Sequence, residues 1–162
     1  MLNTLLSYKR WANTELFDSL FKVHASAAAE PAHTMLRLLN HVYVVDRIFQ
    51  AHLLGQPHGY TALNTAQTPD LRVLWQAVQQ LDNWYLDYAA SLTSQDAQER
   101  LNFNYVDGKA ACMSRAEMLL HVVNHGSYHR GAVGELLHQC GLPPPHDVLT
   151  VFLHNQAATT TG

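Results

Sequence analysis

The sequence predicts an all-α protein, a four-helix bundle, on three observations. Four long stretches repeat apolar residues at helical spacing. The breaks between them are short and carry Pro, Gly or a capping residue. At 162 residues the chain is long enough for one domain with a substantial core.

The first helix is expected over about Leu2–Val23, where Leu2, Leu5, Leu6, Ala12, Leu16 and Leu20 form a stripe flanked by Trp11 and Phe17. The second runs from about Pro31 to Leu54, with Pro31 near its start and Gly55 closing it. Leu38, His41, Val44, Val45, Ile48, Phe49 and His52 recur on one side of it. For the third helix Thr68 can cap, Pro69 suits the first helical position and Asp70 favours the dipole. Its apolar face continues from Leu71 through Leu81 and Tyr85 to about residue 92.

The period then changes. Asp107-Gly108 lies between Phe103–Val106 and Ala110–Met113, which predicts a short hairpin within residues 101–113. Ser114 and Glu117 make a capping box that opens the fourth long helix. Gly141 ends that helix after Cys140, ahead of Pro143–Pro145. A last short helix over Asp147–Asn155 can pack through Val148, Val151 and Phe152. The domain organisation is therefore a single bundle over residues 1–155 with a flexible tail over 156–162.

The formal net charge of −3, with ten scattered Lys and Arg, gives no electrostatic case for nucleic acid or an anionic membrane. No apolar run reaches membrane-spanning length, and residues 1–11 lack a signal-peptide pattern. Two cysteines, Cys112 and Cys140, make neither a disulfide framework nor a CxxC pair. These features predict a cytoplasmic protein.

The chemistry is concentrated in His121, His125 and His129, which recur every fourth residue inside an apolar helix. A four-residue step returns to nearly the same face about 6 Å further on, so two such imidazoles can hold one metal ion from one helix. Any adjacent two of the three qualify. Gly126, Gly131 and Gly134 cluster round His125 and His129 and favour that pair, since helix-interior glycines admit a close neighbour. A third ligand comes from a facing helix, and spacing alone leaves His41 and His52 open. Glu30-x-x-His33 and Glu135-x-x-His138 both fit the ExxH pattern of di-iron proteins. Glu30 precedes a proline at a helix start, and Glu135 and His138 lie away from the His125/His129 face, so that chemistry is rejected.

The segment from Leu120 through Asn124-His125 and Tyr128-His129-Arg130-Gly131, ending in Gly141-Leu142-Pro143-Pro144, resembles the signature of the DinB/YfiT-like metalloenzyme family. Asn40-His41 through Asp46-Arg47 resembles that family's second-helix motif, and Tyr8 through Trp11-Ala12-Asn13 its opening. The resemblance spans essentially the whole chain. It implies a four-helix bundle holding a divalent metal, zinc or nickel, on one histidine of the second helix and the NHxxxHRG pair. Here those are His41, His125 and His129. His121 is then a packing residue beside the ligands, with a ligand or proton-carrying role as alternatives. Asp46 and Arg130 are expected to orient the imidazoles or a substrate, with a salt bridge on the bundle surface as the competing expectation.

Three neutral imidazoles leave zinc or nickel an open position, at which water or a thiol becomes more acidic. Some relatives that the chain resembles are transferases or isomerases dependent on bacillithiol, mycothiol or glutathione. The leading expectation is therefore a metal-dependent enzyme of the thiol S-transferase or isomerase type, taking a small-molecule thiol and an electrophilic substrate. Hydrolysis is weaker, because no Glu stands between the histidines as in HExxH. A non-enzymatic metal-binding or stress-response protein is the alternative. The family's habit and the aromatic residues Trp11, Phe17 and Phe21 of the first helix also suggest a homodimer.

Overall fold

A computed structural model describes residues 1–24 and 29–160. Its long helices are α1 (Leu2–His24), α2 (Ala29–Leu54), α3 (Leu71–Ser91) and α5 (Arg115–Gln139). Between α3 and α5 lie a five-residue helix α4 (Ser94–Gln98) and a hairpin of β1 (Arg100–Asn104) and β2 (Ala110–Ser114). Helix α6 (Leu149–Thr160) closes the described chain.

Local chemistry sets the boundaries. The strands pair antiparallel from Arg100 opposite Ser114 to Asn104 opposite Ala110, and Gly108 supplies φ 85° in the turn between them. Ser114 Oγ accepts from the Glu117 amide at 3.1 Å while Glu117 Oε2 accepts from the Ser114 amide at 2.6 Å. That reciprocal box starts α5, as expected. Gly141 follows the other end of α5 with φ 76°.

Two expectations are corrected and one element is added. Asp70, not Thr68, caps α3: its carboxylate accepts from the Arg72 and Val73 amides, so Pro69 lies outside the helix. The short helix α4 escaped notice; it is built on a Thr93–Asp96 capping box with no buried side chain, so no apolar period marks it. Helix α6 runs to Thr160 rather than ending at Asn155, so most of the expected flexible tail is helical. Residues 161–162 of that tail lie outside the described residues.

The closest helix contacts pair α1 with α3 and α5, and α2 with α5 and α3, among the described residues. The four long helices thus close into a ring in which α1 and α2 sit across a diagonal. The core divides along the bundle axis. One apolar cluster holds Leu16, Phe17, Leu39, Val78 and Val133, and the other Leu6, Val45, Leu81, Tyr85 and Val123. Each long helix also contributes buried polar or small residues near the junction of these clusters: Lys9 and Asn13, Asn40 and Asp46, Asp82, then Gly126 and Arg130.

Lys9, 1% exposed, is the centre of that layer. Its Nζ lies 2.5 Å from Asp82 Oδ1 and 2.9 Å from Asp46 Oδ2. Asn13 donates to Asp82 at 2.7 Å and accepts from Arg130 at 3.2 Å, and Arg130 Nε donates to Asp147 at 2.7 Å. The network ties α1, α2, α3, α5 and the segment before α6. An unpaired charge there is costly, so these groups fix how the helices meet.

The aromatic residues of α1 are occupied within the chain. Phe17 stacks on Trp75 at 4.6 Å, Trp11 packs on Phe152 at 5.7 Å, and Arg72 lies over the Phe21 ring at 5.4 Å. They give no argument for a dimer.

Candidate metal centre

His41, His125 and His129 each offer a ligand nitrogen, and the three nitrogens lie within 4.8 Å of one another. Periodicity puts His125 and His129 one turn apart on α5, and α2 packs on α5 at the same level, between the two apolar clusters. The ring centroids form a near-regular triangle: 5.0 Å for His41–His125, 4.7 Å for His41–His129 and 4.6 Å for His125–His129. All three residues are half-buried, so the triangle keeps a side towards the surface.

Tautomers can be assigned from partners. His41 Nδ1 lies 2.7 Å from the Leu63 carbonyl, which only accepts, so Nδ1 carries the hydrogen and Nε2 presents its lone pair. That Nε2 is 3.2 Å from His125 Nε2. Two nitrogens bound at zinc's usual distance in a tetrahedron stand about 3.3 Å apart, so the spacing suits one cation. The Nδ1 atoms of His125 and His129 are buried with no partner among the described residues.

Burial favours the neutral form of the two α5 rings. Burial pushes His125 down to about 3, with His129, His41, His121 and Lys9 adding to the effect. Burial, then His41, lowers His129. Neutral imidazoles with lone pairs converging are the donor set that zinc or nickel takes, and the residues fit such an ion.

The remaining expected residues fall elsewhere. His52 lies on α2 beside Phe103 of the hairpin, with ring centroids 4.5 Å apart, which resolves the choice between it and His41. His121 stacks between Phe49 at 4.5 Å and His125 at 5.4 Å, a packing position beside the triangle. Asp46 and Arg130 were expected to orient imidazoles, and among the described residues neither hydrogen-bonds one. Asp46 pairs with Lys9, and Arg130 with Asp147, Asn13 and Ser127. Both are buried, at 2% and 3% exposure, so the competing expectation of a surface salt bridge also fails.

The glycines are corrected too. A Cβ on Gly126 would meet Arg130 Nη1 at 3.0 Å and Lys9 Cε at 3.5 Å, so this glycine makes room for the charged layer rather than for a ligand. Gly131 has open space, and Gly134 faces Pro144 at 3.4 Å. Tyr128 is 76% exposed beside His129.

Sequence reasoning missed the segment that orients His41. Leu63 contributes a backbone carbonyl, for which side-chain identity gives no signal. Asn64 holds that segment on α2: its Oδ1 accepts from Asn40 at 2.5 Å and its Nδ2 donates to the Arg37 carbonyl at 3.0 Å. Asn40, next to His41 and 2% exposed, was the available clue.

Comparison with known proteins agrees with this fold. The Protein DinB of Bacillus subtilis (strain 168) is 25% identical over 150 residues, covering 85% of this chain and 84% of that protein. The crystal structure of a DinB-like protein from Bacillus cereus ATCC 10987 superposes with a TM-score of 0.56 at 18% identity, covering 82% of this chain and 90% of the other, a likeness of fold. No helix among the described residues is long and apolar enough to cross a membrane. The family model described as "DinB family" matches residues 1–161, and the chain belongs to the DinB family.

Proposed function

We propose that the protein is a metal-dependent enzyme that transfers a small-molecule thiol to an electrophile, with His41, His125 and His129 holding zinc or nickel. The observation that carries this reading is the convergence of three imidazole nitrogens, two Nε2 atoms 3.2 Å apart, at a triangle that is only half-buried. A divalent cation held by three protein ligands supplies an open position and lowers the pKa of a thiol or water there.

The chain's own residues do the rest. The Leu63 carbonyl holds His41 in the tautomer whose Nε2 is free to bind. Burial keeps His125 and His129 unprotonated, so the site accepts a cation at neutral pH. In the transfer the thiol proton passes to solvent, the sulfur electron pair forms the C–S bond, and the leaving group departs with the electrons of its bond to carbon. Among the described residues no Asp or Glu belongs to the three-histidine group, and a thiol, more acidic than water, needs a general base less, which favours it as the nucleophile.

The test is turnover of 1-chloro-2,4-dinitrobenzene with bacillithiol, mycothiol and glutathione, using protein loaded with zinc or nickel. We expect chloride release with at least one thiol, lost in His125→Ala. Tight zinc binding with no rate above metal-free protein for any thiol would overturn the enzymatic reading and leave a metal-binding protein.

A further inference from the structure

A cavity of about 500 Å³ opens between α2, the segment linking α2 to α3 and the turn of the hairpin. Val45, Ile48, Phe49 and Leu63 wall it, with His52 and Tyr105 completing the lining. Val45 and Ile48 are core residues, 5% and 4% exposed, whereas Leu63 and Tyr105 at the mouth are 49% and 46% exposed. Large apolar side chains left in water around a concave apolar surface favour a ligand that covers them.

Two links join this cavity to the histidine triangle. Leu63 lines the cavity with its side chain and fixes His41 with its carbonyl. Phe49, on the cavity wall, packs its ring 4.5 Å from His121, which stacks on His125 at 5.4 Å. The cavity wall and the ligand shell therefore share Leu63 and are joined through Phe49 and His121.

We propose that this cavity binds the uncharged apolar body of the substrate acted on at the histidine centre, an aryl or branched alkyl group of about the size of naphthalene. The assignment rests on the thiol-transfer reading only in naming that substrate the electrophile. The lining contains no Lys or Arg, and Asp107 stands among it, so an anionic body such as that of glutathione is disfavoured. Burial lowers the pKa of His52 and keeps its ring neutral, which adds no cation. The volume lies within the range of small-molecule sites, too small for a folded partner.

The experiment titrates nitrogen-15-labelled, zinc-loaded protein with 1-naphthol and follows amide shifts. Shifts should cluster at residues 45–52, 61–63 and 105–107. Ala62→Trp and Val106→Trp, which place a large ring in the cavity lining, should each weaken 1-naphthol binding by at least about tenfold. Zinc affinity should stay within about twofold in Val106→Trp, which lies on the hairpin away from the segment that orients His41. Replacing zinc with Co²⁺ should displace and broaden the bound 1-naphthol proton signals. 1-Naphthoate should bind at least about tenfold more weakly than 1-naphthol.

Shifts centred elsewhere, unchanged affinity in both tryptophan variants, or bound 1-naphthol insensitive to Co²⁺ would each overturn the assignment. Absence of thiol turnover with the Co²⁺ effect intact would overturn the transfer reading alone.

Discussion

The Nδ1–H of His41 donates to the carbonyl of Leu63 at 2.7 Å, and this one hydrogen bond decides which nitrogen His41 turns towards His125. The carbonyl belongs to an irregular segment, so the ligand is only as well oriented as that segment is held. Asn64 is its anchor, bonded to Asn40 and to the Arg37 carbonyl. Arg37 in turn donates to the Thr65 carbonyl at 2.6 Å.

Asn64→Ala is therefore expected to weaken zinc binding by about 10- to 100-fold, the range found when a partner that orients a metal ligand is lost. The fold should survive, since Asn64 is only half-buried and outside the core clusters. Competition with a chelator of known affinity would measure it. Unchanged affinity in the folded variant would mean that the Leu63 carbonyl does not need its anchor.

The pH dependence of metal binding follows from the depressed imidazoles. An ordinary three-histidine site loses affinity with three protons displaced per ion below about pH 6. Here His125 is lowered to about 3 by burial and by His129, His41 and His121, so above pH 4 it brings no proton to displace. His129 is shifted the same way, by burial and then His41. The logarithm of zinc affinity should then fall with a slope well below three between pH 6 and pH 4, steepening only on further acidification. A slope of three already at pH 5 would show that the rings titrate as if exposed.

The histidine triangle was legible in the sequence because helical periodicity is a strong signal. His125 and His129 need only the 3.6-residue turn to share a face, and Ser114 and Glu117 mark where their helix begins. His41 against His52 was not decidable by spacing, because both lie on the apolar side of one helix. What separates them is the pairing of α2 with α5 and the loop that returns Leu63 to His41. The roles of Asp46 and Arg130 were misread for a related reason. A charged residue beside a ligand motif looks like a ligand's partner, whereas the pairing that decides its role is with Lys9 or Asp147, far away in sequence. Lys9 itself looks like a solvated residue within a helix, and only the convergence of α2 and α3 makes it the core of the bundle.

Lys9→Met should be among the most destabilising changes away from the triangle. Burial works to lower the Lys9 pKa, but the Asp46 and Asp82 carboxylates outweigh it and hold it above the ordinary value. The ammonium therefore stays charged, and its removal leaves two buried carboxylates facing each other. Breaking a buried pair from one side costs about 3–5 kcal/mol, and about 3 kcal/mol is expected here because Asp46 can take up a proton. Adding Asp82→Asn to Lys9→Met should recover at least about 1 kcal/mol in urea unfolding at pH 7. Simple additivity of the two losses would show that the charges are not coupled.

Asp46 gives the layer a pH signature of its own. Burial raises its pKa from 3.8 to about 6, against the opposing pull of Lys9, and its Oδ1 has no partner among the described residues. A carboxyl raised in the folded state binds a proton that the unfolded chain has released between those two values. Its stabilising contribution is thus complete below about pH 3.8 and is lost as pH rises through 6. Asp46→Asn removes that titration and keeps an oxygen that can accept from Lys9, so it resembles the protonated form at every pH. The variant should therefore gain stability relative to the wild type between pH 4 and pH 7, by up to about 3 kcal/mol, while the histidine titrations cancel in the difference. Urea unfolding of both proteins at four pH values measures this. A difference that stays flat across the interval would mean that Asp46 is ionised throughout, so that the Lys9 ammonium overcomes the cost of burying both carboxylates.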